Sequence, residues 1–181
     1  MVDQISADRA GSIRKMVDDG LADAELAALL WLLGDHGVPL VLASREPLAA
    51  DVVASALPGV SGTLAAESLD EVARLGGGSA AHGLPDELRD LGIVIVVRQM
   101  GGIARIAAAH YVRPLERDAG GHVQRRGPAV LAVYDQDRES WEHFAWGVEA
   151  ELAERAGLTL RELDEQRRVR LEALVGRGPA G

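Results

Sequence analysis

The sequence predicts an α/β fold, in which a parallel sheet core is followed by an antiparallel β meander and by C-terminal helices. Two continuous aliphatic runs, VPLVLA at 38–43 and GIVIVV at 92–97, are typical of strands buried on both faces, as in parallel sheets. Beyond them, the segments IARIAAAHYV, GHVQRR and AVLAVY are strand-like and are separated by MGG, DAGG and DQD. Glycine and aspartate between such segments indicate hairpin turns, and hence the meander.

The length of the chain indicates one domain. Its 181 residues can bury one hydrophobic core and are too few for two ordinary domains. We therefore expect a single domain over 1–181, with a loosely ordered helix at 1–20 that packs on the surface and a flexible tail at 176–181.

Charge and composition exclude several partners. A net charge of −9 argues against non-specific binding to nucleic acid or to anionic lipid. The longest apolar run, Leu26 to Leu33, is far short of the about 20 residues that span a bilayer, so membrane insertion is not expected. The chain has no cysteine, which fits a reducing cytoplasm, and we predict a cytoplasmic protein.

The first half of the chain contains a β-α unit. LADAELAALLWLL at 21–33 predicts a buried helix that ends at Gly34 and Gly37. After the strand at 38–43, Pro47 suits the first turn of a helix, PLAADVVASAL, which Pro58 and Gly59 end. No helix or strand is predicted for the segment SGTLAA that follows.

Capping pairs mark the remaining helices. Ser68 and Glu71 predict a capping box before the helix SLDEVARL, which leads into a loop, GGGSAAHG, and a short helix from Leu84 to Leu91. WGVEAELAERAG and TLRELDEQRRVRLEALV predict two closing helices. The second has a capping box at Thr159 and Glu162, and four leucines on one face: Leu160, Leu163, Leu171 and Leu174.

The β-α unit is where a nucleotide would bind. A parallel strand that feeds a tight loop and a helix N-terminus offers amides and a positive dipole end to phosphate. Ser44 and Arg45 are the candidate cofactor-binding residues there. A working P-loop also needs glycines, a lysine and a hydroxyl at the helix, whereas this loop, ASREPLAAD at 43–51, has none of these. Glu46 adds a negative charge and Pro47 removes an amide, so the loop chemistry favours a structural turn.

Several longer segments resemble a known family. AELAALLWLLGDHGVPLVLA is similar to the helix and strand that lead into the P-loop of type II/IV secretion ATPase-like proteins, and TLAAES is similar to their histidine box. The segments LGIVIVVR, AHYVRPLERD, GHVQRRGPAVLAVYD and HFAWGVEAELAERAGL resemble the closing strands and helix of that family. The resemblance covers most of the chain from about Leu21 onward. It implies a shortened P-loop NTPase-like core.

The chain departs from the family at each catalytic element. Ala65 and Ala66 lie where the histidine box would have a histidine, and only 58–62 connects the first β-α unit to that segment, so the acidic strand that supports Mg²⁺ is missing. Asp135, at the end of AVLAVYD, imitates a Walker B aspartate, but its place late in the meander predicts a hairpin turn. We therefore expect no catalytic residues and no ATP or Mg²⁺ as a cofactor, which would make the chain a pseudo-ATPase.

Metal and hydrolase sites are not predicted. The histidines show no metal-binding spacing, and Glu142 and His143 are strand neighbours that would face opposite ways. No serine lies in a G-x-S-x-G elbow. The five histidines are His36, His82, His110, His122 and His143.

Three functions remain. The leading hypothesis is a degenerate secretion-ATPase-like domain that does not hydrolyse ATP and acts through contacts with a protein partner or with itself. The alternative is a weak nucleotide-binding domain that holds phosphate with Arg45 and the helix N-terminus at Pro47. A third is an enzyme of unrelated chemistry, with Glu67, Arg98 or His110 in a cleft between sheet and meander.

Overall fold

The protein is an α/β domain built on a six-stranded mixed sheet. The computed structural model describes residues 2–75, 90–114, 116–117, 119–124 and 126–176, without the side chains of 2–7, 116–117 and 123–124. The loop expected at GGGSAAHG, most of the short helix expected up to Leu91 and the tail at 177–181 lie outside these ranges.

Six helices and eight strands fall within the described residues. The helices are α1 (Val2–Asp18), α2 (Ala24–Asp35), α3 (Pro47–Ala56), α4 (Leu69–Leu75), α5 (Glu149–Arg155) and α6 (Leu160–Val175). A 3₁₀ helix, Ala145–Gly147, precedes α5. The strands are β1 (Leu40–Ala43), β2 (Val60–Leu64), β3 (Ile93–Met100), β4 (Ile103–Tyr111), β5 (Glu116–Arg117), β6 (Val123–Gln124), β7 (Ala129–Asp135) and β8 (Ser140–His143).

The main sheet joins a parallel part to an antiparallel part. Its order is β2-β1-β3-β4-β7-β8. β1 runs parallel to both β2 and β3, whereas β3, β4, β7 and β8 pair antiparallel. All four residues of β1 and the first five of β3 are buried. The two buried strands and the change from parallel to antiparallel pairing are confirmed.

β2 was not expected from the sequence, and β8 was expected only as the strand that holds Glu142 and His143. β2 lies within the segment to which no element was assigned, and β8 has the sequence SWEH. Both are short edge strands with little buried apolar surface, so neither has the aliphatic run or the clear alternation that identifies a strand. The expected strand GHVQRR is confirmed in part. Among the described residues of that segment, Val123–Gln124 is a strand, but it pairs with β5 in a separate two-stranded sheet and does not belong to the meander.

The hairpin turn predicted at Asp135 is confirmed. The Oδ1 atom of Asp135 accepts hydrogen bonds from the amides of Asp137 at 2.8 Å and Arg138 at 3.2 Å. This side-chain bond closes the turn between β7 and β8, as aspartate commonly does. Asp135 is thus a turn residue.

Helices cover both faces of the sheet. The core on one face includes residues of α1, α2, α3, α5 and α6. On the other face, Val72 and Ala73 of α4 pack with Val94 and Val96 of β3. Among the described helices, none is long and apolar enough to cross a membrane.

Two helices bury only part of their surface. The helix α1 packs on the rest of the domain through Ile13 and Met16, which are 0% and 1% exposed. Their i, i+3 spacing places both on the face that contacts the other helices. On the leucine face of α6, Leu163 and Leu174 are buried, whereas Leu160 is 47% exposed.

A close backbone contact joins α2 to the end of α3. A Cβ atom on Gly34 would lie 2.1 Å from the carbonyl oxygen of Pro58. Gly59 follows with a φ of +76°, and a Cβ there would lie 3.0 Å from the Cα of Gly34. The turn between α3 and β2 therefore crosses the C-terminal turn of α2 at a distance that only glycine permits.

Gly34→Ala should lower the free energy of unfolding by about 2 kcal/mol, because the backbone of Pro58 must move to admit the methyl group. Gly11→Ala is the matched control, since a Cβ on Gly11 in α1 meets nothing within 4 Å. That variant should gain about 0.5 kcal/mol from helix propensity. Urea denaturation of the two variants measures both values, and equal stabilities would contradict the close contact.

A hydrogen bond joins the last residue of β8 to the N-cap residue of α2. Asp23 caps α2 by accepting from the amide of Leu26 at 2.9 Å, and its other carboxylate oxygen lies 2.7 Å from Nε2 of His143. The hydrogen bond to Asp23 raises the pKa of His143 above its ordinary value of 6.5, against the opposing effect of burial. Glu25 raises this pKa further and Arg167 lowers it. A raised pKa in the folded state stabilises the fold at low pH, and this contribution is lost as pH rises through that pKa.

His143→Gln should therefore cost about 1 kcal/mol at pH 6 and less at pH 9, where the wild-type imidazole is neutral too. Chemical denaturation at the two pH values measures the difference. Asp23→Asn keeps an N-cap acceptor but removes the charge, so the same pH dependence should disappear in that background. A cost that is equal at both pH values would show that the His143 charge does not stabilise the fold.

Candidate functional site

The predicted nucleotide loop lies at the point where the chain leaves neighbouring parallel strands toward opposite faces of the sheet. β1 leads to α3 on one face, and β2 leads to α4 on the other. Ligands of α/β proteins commonly bind at such a switch point. We call the residues 44–47 and 65–68 the switch-point loops. The amide of Ser44 donates to the carbonyl oxygen of Leu64 at 2.9 Å, so the structure brings the two loops together.

The hydroxyl of Ser44 is used within its own turn. Ser44 is 5% exposed, and its Oγ accepts from the amide of Glu46 at 3.0 Å. The Oγ also lies 3.3 Å from the carbonyl oxygen of Glu46. This local bonding closes the tight loop between β1 and α3, as serine does in turns. A metal ion or a phosphate would have to compete with that turn for the hydroxyl.

The guanidinium of Arg45 is paired across the switch point. Its NH2 lies 3.2 Å from Oε2 of Glu71, with 56% and 27% of the two side chains exposed. The same oxygen accepts from the amide of Glu67 at 2.8 Å. A carboxylate held by a backbone amide in the first turn of α4 therefore neutralises the candidate phosphate-binding cation.

The predicted capping box at α4 is present in part. The amide of Glu71 donates to Oγ of Ser68 at 3.2 Å, as expected. The Glu71 carboxylate bonds to the amide of Glu67 and to Arg45 instead of to the amide of Ser68. Glu71 was not predicted as a site residue, because the expected capping box already accounted for its carboxylate.

The surroundings of Arg45 are acidic. Exposed or half-exposed carboxylates occur on both switch-point loops and in the first turn of α4. The last turn of α4 carries a cation, Arg74. α3 begins at Pro47, which has no amide hydrogen, and the side chain of the N-cap residue, Glu46, makes no capping hydrogen bond. Phosphate would meet repulsion that partly cancels the helix dipole. The carboxylates are Glu46, Glu67, Asp70 and Glu71.

The residues of the third hypothesis do not form one site. Arg98 lies opposite Arg105 in the β3–β4 ladder, whereas His110 lies opposite Val94. Four residues along β3 correspond to about 13 Å, which separates Arg98 from His110. Burial lowers the pKa of His110 below its ordinary value of 6.5. Glu67 belongs instead to the switch-point loop that follows β2.

Glu142 and His143 have separate partners, as their strand positions predicted. Glu142 bonds to Arg138, and His143 bonds to Asp23. Across the described ranges, no three or more histidine, aspartate and glutamate side chains are grouped to hold a metal ion. His82 lies outside those ranges.

No protein-family model and no curated protein matches the chain. The resemblance to type II/IV secretion ATPase-like proteins therefore rests on the quoted segments alone and stays a prediction.

Proposed function

We propose that the chain is a degenerate secretion-ATPase-like domain that does not hydrolyse ATP and acts through protein–protein contacts. The strongest support for the loss of nucleotide chemistry is the ion pair of Arg45. The single cation of the switch-point loops, Arg45, is bound by Glu71. A phosphate group would have to displace a carboxylate that is already held by the amide of Glu67.

The rest of the chain supplies no replacement for the missing P-loop lysine. Lys15 is the only lysine of the sequence. It belongs to α1, where its Nζ lies 2.7 Å from Asp19. Arginine is a poor substitute in a tight phosphate cradle because its planar guanidinium is larger than an ammonium group. The absence of loop glycines also leaves no close backbone approach for a pyrophosphate.

Exposed apolar side chains support a role in protein contact. Leu48 and Trp146 are 83% and 75% exposed. Leu48 belongs to the first turn of α3, directly beside the switch-point loops, and Val52 lies one turn further on, 44% exposed. Tryptophan is favoured at protein interfaces, and neighbouring exposed apolar residues mark contact surfaces.

A second candidate function is weak nucleotide binding by Arg45 and the N-terminus of α3. The location of both at the switch point favours it, because that is where α/β folds place their ligands. More than half of the Arg45 side chain is open to solvent. A surface ion pair of this kind contributes about 0.5 kcal/mol and can be exchanged for another anion.

Thermal unfolding with and without millimolar Mg-ATP separates the two functions. A ligand that binds only the folded state raises the unfolding midpoint by mass action, and we expect no shift. A saturable rise that disappears in Arg45→Ala would replace the proposed function with the nucleotide-binding alternative. Arg161→Ala is the matched control, since Arg161 is an exposed, ion-paired arginine on α6, 2.9 Å from Glu165.

A further inference from the structure

A buried hydroxyl group lies at the end of β4. Tyr111 is the last residue of this strand, and its side chain is 2% exposed and belongs to the core that α5 helps to form. Its hydroxyl makes no hydrogen bond with any residue of the described ranges. Because buried tyrosine hydroxyls normally have a hydrogen-bond partner, this group is available to a partner from outside the chain.

The hydroxyl group of Tyr111 is a neutral donor. Burial raises the pKa of Tyr111 above its ordinary value of 10.0, so the phenol keeps its proton at physiological pH. A neutral phenol can donate one hydrogen bond and accept others. It therefore suits a ligand that offers an acceptor, such as a carboxylate oxygen.

The Tyr111 side chain lines a cavity between the end of β4 and α5, which we call the Tyr111 cavity. Its volume is about 330 Å³, near the lower limit for small-molecule sites in proteins. Tyr111 pairs with Ile93 at the start of β3, so the cavity lies at the opposite end of the strands from the switch-point loops. The other described residues that line it are Pro114, Glu151, Glu154 and Arg155.

An ion pair forms part of the cavity wall. Arg113 donates to the carboxylate of Glu151 from Nε at 2.7 Å and from Nη2 at 3.1 Å, which is a bidentate geometry. Its Nη1 donates to the carbonyl oxygen of Gly127 at 2.7 Å. The two side chains are 19% and 28% exposed. These bonds fix Glu151 in place and neutralise its charge within the chain.

Two charged side chains of the cavity are free. Glu154 and Arg155 are neighbours in the last turn of α5, and neither side chain forms an ion pair or a hydrogen bond with the described part of the chain. Besides burial, Glu151 and Glu154 raise the pKa of Tyr111, whereas Arg155 and Arg113 lower it. The phenol therefore lies within electrostatic reach of both free side chains.

The charges of the cavity favour a ligand that has both signs. Two carboxylates and two guanidinium groups act on Tyr111, so an ion of one sign would be repelled by two of them. A zwitterion is attracted by the free carboxylate and by the free guanidinium at once. Both free side chains line one small cavity, so the two charges of the ligand must be close together, as they are on the α-carbon of an amino acid.

We propose that the Tyr111 cavity binds a free α-amino acid. Arg155 binds its carboxylate, for which the planar guanidinium is the matching donor. Glu154 binds its ammonium group, and the Tyr111 hydroxyl donates to a carboxylate oxygen of the ligand. The inference goes beyond the proposed function, because the cavity shares no residue with the switch-point loops.

Titration with L-alanine, followed by amide NMR, tests the site. Alanine has both charges and a small side chain. We expect saturable shifts at millimolar alanine for the signals of Arg113, Glu154 and Arg155, and none for Arg45. N-acetylalanine lacks the ammonium group and alaninamide lacks the carboxylate, so each should bind at least about tenfold more weakly.

Tyr111→Phe removes the hydroxyl alone. Affinity for alanine should fall about tenfold, since a hydrogen bond to a charged group of the ligand is lost. The unfolding temperature without alanine should stay the same or rise, because the hydroxyl has no partner to lose. Tyr134→Phe is the matched control. Tyr134 is 7% exposed and belongs to β7, outside the cavity, so this variant should bind alanine like the wild type.

Arg155→Gln and Glu154→Gln test the two charges. Each should weaken alanine binding at least about tenfold. Arg155→Gln should also bind alaninamide as well as alanine, because the group that recognises the carboxylate is gone. Glu154→Gln should bind N-acetylalanine as well as alanine, for the corresponding reason. A general loss of structure would not produce these two opposite preferences.

The absence of saturable shifts with alanine up to about 10 mM overturns the inference. So does equal binding of alanine and its two single-charge analogues, or binding that persists in both Tyr111→Phe and Arg155→Gln. A lower unfolding temperature of Tyr111→Phe without alanine also contradicts it, since the hydroxyl would then be bonded to structural water. Nucleotide binding that depends on Arg45 would contradict the proposed function and leave this inference unchanged.

Discussion

The burial of β1 on both faces is the constraint on which the rest of the structure depends. Each of its four residues is buried, and its backbone pairs with β2 on one side and β3 on the other. A strand of this kind needs apolar cover above and below, which α3 and its neighbouring helices supply on one face and α4 on the other. The chain must therefore leave β1 and β2 in opposite directions. That requirement creates the switch point, and it leaves β2 at the edge of the sheet.

The parts of the fold that the sequence predicts well are those specified by neighbouring residues. β1 and β3 are continuous aliphatic runs, Pro47 begins α3, and Thr159 forms a capping box with Glu162. β2 could not be identified in this way, nor could the bounds of β8, because the pairing of both strands depends on strands elsewhere in the chain and both segments are short and polar or glycine-rich. The core position of α1 depends on helices that contact Ile13 and Met16 from distant parts of the sequence.

The candidate site, like the fold, could be predicted only where neighbouring residues specify it. The succession of a strand, a loop and a helix in the sequence was enough to place Ser44 and Arg45 at the end of a parallel strand. The partner of Arg45 could not be predicted, since Glu71 is 26 residues away and reaches it only through the parallel pairing of β2 with β1. The bond between His143 and Asp23 spans 120 residues and depends on the whole meander. Charge partners of this kind decide what a loop can bind, and a loop motif alone does not contain them.

Amide NMR of the protein titrated with Mg-ADP tests most directly whether the switch point is closed to phosphate. The informative signals are the backbone amides of Arg45, Glu46 and Leu48 and the side-chain Nε–H of Arg45. The account predicts that these signals keep their positions at millimolar nucleotide, because Glu71 holds the guanidinium and acidic residues surround it. Saturable shifts confined to these signals would contradict it, since they would mean that phosphate replaces Glu71 at Arg45.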